Sequence, residues 1–461
     1  MPTQRVLPDR SRRLAYRAAV VERRRCVTDG GMLTDRYELT MVAAARREGM
    51  AEVPCVFELF ARRLPEGRRF GVVAGTRRAL DAALAFRFGG EDVEWLLAAG
   101  AVDEGTAGWL ASFRFGGEVD GYPEGEVWFP GSPIMTVRGS FAEACVLETV
   151  LLSILNHDAA VAAAAARMVI AAGGRPILEM GSRRTHEEAA VAAARAAYLA
   201  GFASTSNLAA GRRYGIPTAG TAAHAFTLLH RDELDAFRAQ VASQGVGTTL
   251  LVDTYDITRG IELAVEAAGS QLGAIRIDSG DLGVLAHQAR AQLDALGATG
   301  TMIVVSGDLD EYAIAALAAA PVDLYGAGTA VVTGSGAPTA GFVYKLVEVD
   351  GRPVAKRSEH KASHGGGKVA LRAHRSTGTA TEEIVLSGLR DEIEARARQL
   401  QAGDPLLRRL DVPLVRGGAL TEAGAESLPV SRDRLAAVLG TLPWEGLALS
   451  RGDPVLTVRR A

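Results

Sequence analysis

Between Arg175 and Thr329, apolar runs of strand length give way six times to a short polar or glycine-bearing break, usually followed by a helix-like stretch. The breaks read GSRR (181–184), TSN (205–207), GTAAH (220–224), DTYD (253–256), DSGD (278–281) and SGD (306–308). YGAGT (325–329) closes the series with no clear helix behind it. Strands alternating with helices at this cadence predict βαβ units and parallel pairing. Loops leaving the C-terminal ends of such strands share one face, where chemistry collects. The motifs are therefore expected side by side around a single site.

The flanking texture is different. In TDRYELTMVAAARREGM, Asp35 and Glu38 have capping-box spacing, which predicts a helix from Tyr37 to about Gly49. VPCVFELFARRL (53–64) alternates like a strand, and mixed helix and hairpin patterns continue to Gly139. Ser140 and Glu143 form a second capping box, opening the long apolar helix that starts at Phe141. The first strand of the cadence is RPILEM (175–180). From Phe342 to Arg372 the pattern is strand-like and polar, and a charged helix and loops follow. The chain divides into an N-terminal extension (1–30), a first α+β segment (31–139), the βα region (140–341) and a C-terminal segment (342–461).

Composition narrows the classes. With 461 residues there is ample length for a large core, and a net charge of −3 gives no basic field for nucleic acid or anionic membrane. The most apolar stretch, 159–174, carries Arg167 and is too short to span a bilayer. Cys26, Cys55 and Cys145 are odd in number and far apart, which argues against disulfides or a zinc site and for a reducing, cytoplasmic compartment. Residues 1–30 are Arg-rich without a signal-peptide core, and read as a disordered extension or an early start.

Each break has its own chemistry. Arg183 and Arg184 stand at a helix start that Thr185 and Glu188 are expected to cap, which suits a carboxylate or phosphate site; the alternative reading of either Arg is a surface ion-pair partner. His224 lies just beyond the strand IPTAG, placed to accept and release a group near neutral pH; a lone histidine there is otherwise a satisfied core residue. In IRIDSGD, Asp278 offers a carboxylate to ribose hydroxyls or a metal, and Gly280 lets a ligand approach the backbone; Asp278 or Ser279 could equally be the cap of the next helix. SGD and GAGT offer backbone N–H groups with the Ser306 and Thr329 hydroxyls as phosphate nests. No P-loop motif is present.

Together these residues resemble the nicotinate phosphoribosyltransferase family, in LTDRYELTM (33–41), VFELFARRLP (56–65), EMGSRRTHEEA (179–189), FASTSN (202–207), GTAAHAF (220–226), LLVDTYDITRG (250–260), IRIDSGDL (275–282) and YGAGTAVVT (325–333). The resemblance implies an α/β fold: an irregular TIM-like α/β barrel packed on an α+β sandwich built from N- and C-terminal segments, active as a homodimer with shared sites. It implies transfer of phosphoribosyl from 5-phosphoribosyl 1-diphosphate to nicotinate, with Mg²⁺ required and ATP hydrolysis coupled through a phosphohistidine. Rival readings are a nicotinamide or quinolinate phosphoribosyltransferase, an unrelated sugar-phosphate barrel enzyme, or a silent relative whose strand-end acids would have decayed.

Carried over to this chain, the resemblance makes His224 the phosphorylated histidine. It sets Tyr37, reaching in from a second subunit, with Met180, Arg183 and Ser206 around nicotinate. Arg276, Asp278, Ser279, Gly280, Gly307, Asp308, Gly328 and Thr329 go to the phosphoribosyl moiety. Asp253 and Asp256 stay candidates near metal or diphosphate. Two departures stand out: Met180 replaces a ring-stacking Phe, and KRSEHKASHGGGK (356–368) lacks the usual proline, which leaves the roles of Lys361 and Lys368 open. Ser206 decides the base. Related nicotinamide enzymes carry an aspartate there, and facing nicotinate it would set like charges about 4 Å apart, at a cost on the order of 4 kcal/mol. A hydroxyl donates to the nicotinate carboxylate instead, with Arg183 as countercharge.

Overall fold

The computed structural model describes residues 30–356 and 364–461, so the expected N-terminal extension (apart from its last residue) and Lys361 lie outside the described residues. Six strands form one parallel sheet, in the spatial order Ser204–Thr205, Ile177–Glu179, Leu324–Ala327, Met302–Val305, Ala274–Ile277 and Thr249–Leu251. That order follows the chain around an arc. An isolated parallel bridge from Thr205 to Thr218 extends one edge, so IPTAG contributes a bridge where a full strand was expected. Among the described residues no pairing joins Thr218 to Thr249–Leu251, and the sheet is an open half-barrel. Its residues are rich in Ile, Val and Leu because both faces of a parallel sheet are buried. Ile275, Ile277, Ile303 and Val305 share one core with Ala193, Ile261, Ala286 and Leu293 of the intervening helices.

A seven-stranded antiparallel sheet accompanies it, with Pro54–Ala61 paired to Met135–Ser140 on one side and Phe342–Val349 on the other. Three adjacent strands from before residue 141 are thus flanked on both sides by strands from after residue 341 over a second core, where Phe57 stacks on Tyr344 at 4.9 Å. The helix Glu148–Ala172 serves both cores: Leu151 and Leu155 join the antiparallel side, Val161 and Met168 the parallel side. The architecture is mixed α/β, with the parallel half-barrel as its defining sheet.

Several local expectations change. The first long helix runs Arg36–Arg47, and Asp35 caps it without a side-chain bond. Glu38 is fully buried instead of closing a capping box, accepting from Thr34 and from the Thr149 backbone at 3.0 Å. Ser140 and Glu143 do form their box, but that helix ends at Cys145 and the long one restarts at Glu148. Phe141–Ala172 is long and apolar enough to cross a membrane, contrary to the short apolar stretch read from the sequence; 67% of its most apolar window is buried inside the fold. Asp158 and Arg167 on it pair with Arg78 and Glu311, as charges in a core helix must.

Lys368 is buried against Glu58, and its Nζ also donates to the His364 carbonyl at 2.9 Å. The pair ties Gly367–His374 to the central strand Pro54–Ala61 and leaves this lysine no free charge. Lys368→Met strands the Glu58 carboxylate in the core and is expected to cost about 3–5 kcal/mol, with Glu58→Leu recovering much of the loss in the double variant. Denaturant unfolding of the three variants checks this.

Candidate active site

Parallel pairing puts all the strand-end motifs on one rim, and the side chains there form two bonded groups. The first is centred on Arg276, near the end of Ala274–Ile277. Its Nε donates to Ser306 Oγ at 2.7 Å, Nη1 to Thr221 Oγ1 at 2.9 Å and Nη2 to Asp278 Oδ1 at 2.7 Å. Ser306 also donates to Asp278. Burial opposes ionisation of Asp278, but the Ser306 hydroxyl and the Arg276 guanidinium outweigh it and hold the carboxyl below its usual range. Asp253 Oδ2 accepts from the Asp278 N–H and the Ser279 hydroxyl, both at 2.8 Å. GTAAH, DTYD, DSGD and SGD are thereby one unit. The cap of the next helix is Asp281, which leaves Asp278 and Ser279 free of that duty.

The turns are shaped for close approach. Gly307 has φ 112°, and a Cβ there would lie 2.4 Å from the Asp278 carbonyl oxygen. Asp308 beside it holds φ 50°, a strained conformation that non-glycine residues keep where surroundings demand it. Gly280 and Gly307 are exposed on this rim. Gly328 precedes a short helix, Thr329–Val332, which the sequence pattern did not reveal. Thr329 Oγ1 lies 3.5 Å from Asp308 Oδ1, joining GAGT to SGD.

His224 is the first residue of the helix His224–Leu229. Its Nδ1 is 3.2 Å from Thr254 Oγ1, and its Nε2 is 4.0 Å from Asp253 Oδ1, with the imidazole 43% exposed. Asp253 Oδ1 is buried and has no hydrogen-bond partner among the described residues. Asp256, by contrast, is exposed and caps Ile257–Ala268 through Arg259 N–H at 2.8 Å, which weakens it as a metal ligand. Among the described residues no cluster of three or more His, Cys, Asp or Glu is arranged for a metal. Sequence reasoning missed Thr221, Thr254 and Glu233. Glu233 is buried with an unpartnered Oε1, and burial, Asp253 and Asp256 push its carboxyl up to about 7. Its position at the start of Glu233–Gln244 disguised it as an ordinary helix-start acid.

The second group carries GSRR and TSN. Asn207 Nδ2 donates to Ser182 Oγ at 3.0 Å, so GSRR and TSN touch. Arg183 and Arg184 are exposed and form no ion pair among the described residues; the helix after them is capped by His186, not Thr185. Ser206 is half-buried. Met180 Sδ sits 2.9 Å from where a Cβ on Gly326 would be, so the thioether lies over GAGT. Tyr37 is not part of either group. It is 46% exposed on Arg36–Arg47, and burial of its hydroxyl edge and nearby Glu148 raise its phenol.

Residues 32–156 match the family model described as the nicotinate phosphoribosyltransferase N-terminal domain. The chain is 60% identical over 437 residues to nicotinate phosphoribosyltransferase pncB1 of Mycobacterium tuberculosis, covering 93% of this chain and 95% of that one. It is 40% identical over 332 residues to the nicotinate phosphoribosyltransferase of Bacillus subtilis, covering 70% and 68%. The crystal structure of human nicotinic acid phosphoribosyltransferase superposes with a TM-score of 0.78 at 27% identity, covering 93% of this chain and 97% of that chain.

Glu233 yields a pH prediction. A carboxyl raised from its usual 4.5 to about 7 holds a proton in the folded protein that the unfolded chain releases, so stability falls as pH rises through that window. Glu233→Gln is expected to lie nearest the parent's melting temperature at pH 5 or below, to gain on it up to about pH 7 and to keep a nearly constant lead above that. Melting curves across that range check the sign.

Proposed function

Because the chain belongs to the nicotinate phosphoribosyltransferase family, we propose that it joins nicotinate to 5-phosphoribosyl 1-diphosphate, forming nicotinate mononucleotide and diphosphate. The observation that carries this reading is the pairing of two different half-sites on one rim. One holds Arg276, Asp278 and glycine turns suited to a phosphorylated sugar; the other holds Arg183 and Ser206, suited to a small carboxylate.

The chemistry follows from that layout. The C–O bond to diphosphate breaks with its electron pair leaving on oxygen, and the anomeric carbon gains oxocarbenium character. The ring nitrogen of nicotinate supplies the pair for the new C–N bond from the opposite face. Asp278, held ionised, favours the developing positive charge, and the turns at Gly307, Asp308, Gly328 and Thr329 seat the 5-phosphate. Ser279 and Gly280 border the ribose. Ser206 donates to the nicotinate carboxylate, Arg183 balances its charge and Met180 lies against the ring. Tyr37 stands apart from its own rim with its ring half exposed, which suits delivery to the site of a second copy in a homodimer.

ATP coupling is part of the same reading. Thr254 engages Nδ1 of His224, so the Nε2 lone pair attacks the γ-phosphorus of ATP as the bridging P–O bond breaks and ADP leaves with its electron pair, the ring proton staying on Nδ1 beside Thr254. The added charge then biases the rim toward the substrate-bound arrangement. Mg²⁺ fits the residues present: it usually takes one or two protein carboxylates plus substrate phosphates, and the open lone pair of Asp253 Oδ1 is one such position. When bound with diphosphate it offsets leaving-group charge. We read the half-barrel as an irregular TIM-like barrel set on a sandwich of N- and C-terminal segments. Cys55 and Cys145 as free thiols suit the cytoplasm.

Purified protein given nicotinate, 5-phosphoribosyl 1-diphosphate and Mg²⁺ is expected to form nicotinate mononucleotide, faster with ATP, and to use nicotinamide and quinolinate poorly. His224→Ala is expected to lose the ATP stimulation while keeping slow ATP-independent synthesis; full coupling in that variant refutes its role. Ser206→Asp is expected to lower kcat/KM for nicotinate by roughly 100-fold or more through like-charge repulsion, and unchanged kinetics would remove Ser206 from the site.

A further inference from the structure

Glu179, the last residue of Ile177–Glu179, is a buried acid with no part in the chemistry above. Its bonds all run to the two base-facing motifs. Oε1 accepts from the Gly181 N–H, Oε2 accepts from the Thr205 hydroxyl at 2.5 Å, and its carbonyl accepts from the Ser206 N–H at 2.8 Å. Thr205 Oγ1 in turn accepts from the Asn207 N–H at 3.0 Å, and Asn207 Nδ2 reaches Ser182 Oγ at 3.0 Å. The bonds close a ring from GSRR to TSN and back through one carboxylate. Gly181 has no slack in that ring: a Cβ there would stand 2.2 Å from Val332 Cγ1 and 3.0 Å from the Gly328 carbonyl oxygen. The Met180 N–H also donates to the Ala327 carbonyl at 2.7 Å, which seats the ring against GAGT.

We propose that Glu179 is a positioning residue for the acceptor base, setting the separation between Arg183 and Ser206. This inference rests on the proposed function, since it assumes that these two side chains meet the nicotinate carboxylate. The geometry explains why a position is needed. Arg183 is exposed on a turn and has no ion pair among the described residues to hold it, so only the backbone beneath it limits where its guanidinium falls. Ser206 directly follows Thr205, whose hydroxyl donates to Glu179 Oε2, so the carboxyl group holds the backbone that carries the Ser206 hydroxyl. A shift of about 1 Å between such groups is enough to cost orders of magnitude in use of a small anion.

The test is steady-state kinetics of the full-length protein with Glu179→Ala and Glu179→Gln, after melting curves confirm that each is folded. Glu179→Ala removes both acceptors and is expected to raise KM for nicotinate roughly tenfold or more. KM for 5-phosphoribosyl 1-diphosphate should stay within about twofold, because the Arg276 group does not bond to Glu179. Glu179→Gln keeps the shape and one acceptor, and should recover most of the nicotinate KM. Thr205→Val keeps the test open if Glu179→Ala does not fold; it cuts the same ring and should also raise only the nicotinate KM. An unchanged nicotinate KM, or equal rises in both constants, overturns the positioning role. Absence of nicotinate mononucleotide synthesis by the parent protein would instead overturn the proposed function, before any variant is compared.

Discussion

One guanidinium holds one side of the rim together. Arg276 bonds at once to Thr221, Asp278 and Ser306, which leave three separate crossovers of the parallel sheet. Without it, Asp278 would face the rim as a half-buried carboxylate with less support, and the loops would lose their common partner. A planar fork with three directed donors performs this task; a lysine of the same charge cannot span the three acceptors. The base side has a similar arrangement with the sign reversed, one carboxylate collecting donors from two loops. A cation therefore organises the half of the rim that carries Asp278 and the glycine turns, and a carboxyl group organises the half that presents Arg183.

The rest of the molecule keeps those two halves in register. The half-barrel sets the strand ends side by side, and the helix Glu148–Ala172 joins its core to that of the antiparallel sheet. Tyr37 stands on a helix packed into the antiparallel core, with Glu38 beside it buried against Thr34 and Thr149. That local anchoring gives the Tyr37 backbone a rigid base while its ring remains exposed.

Much of this was legible in the sequence. The alternation of apolar runs with polar breaks foretold parallel strands and a common rim, because periodicity and strand-end position are local properties. Asp278, Arg276 and Ser306 were singled out as residues and found to be mutual partners. What escaped depends on contacts that spacing cannot encode. Glu38 reads as a capping acid but is drawn into the core by Thr149, over a hundred residues away. Asp281, not Asp278 or Ser279, caps its helix, and His186 displaces Thr185. Lys368, whose role the sequence left open, pairs with Glu58 in the core. Glu179 and Glu233 were invisible as functional candidates because only burial distinguishes them from ordinary acids. The open edge of the sheet was also hidden, since IPTAG has strand texture but pairs only at Thr218.

The account stands on the Arg276 bridge making the strand ends one binding site. Titration calorimetry of 5-phosphoribosyl 1-diphosphate with Mg²⁺ into the parent protein and Arg276→Lys tests it most directly. Keeping the charge while losing the fork should weaken binding by roughly tenfold or more, with the melting temperature nearly unchanged. Equal affinity in the two proteins would contradict the account.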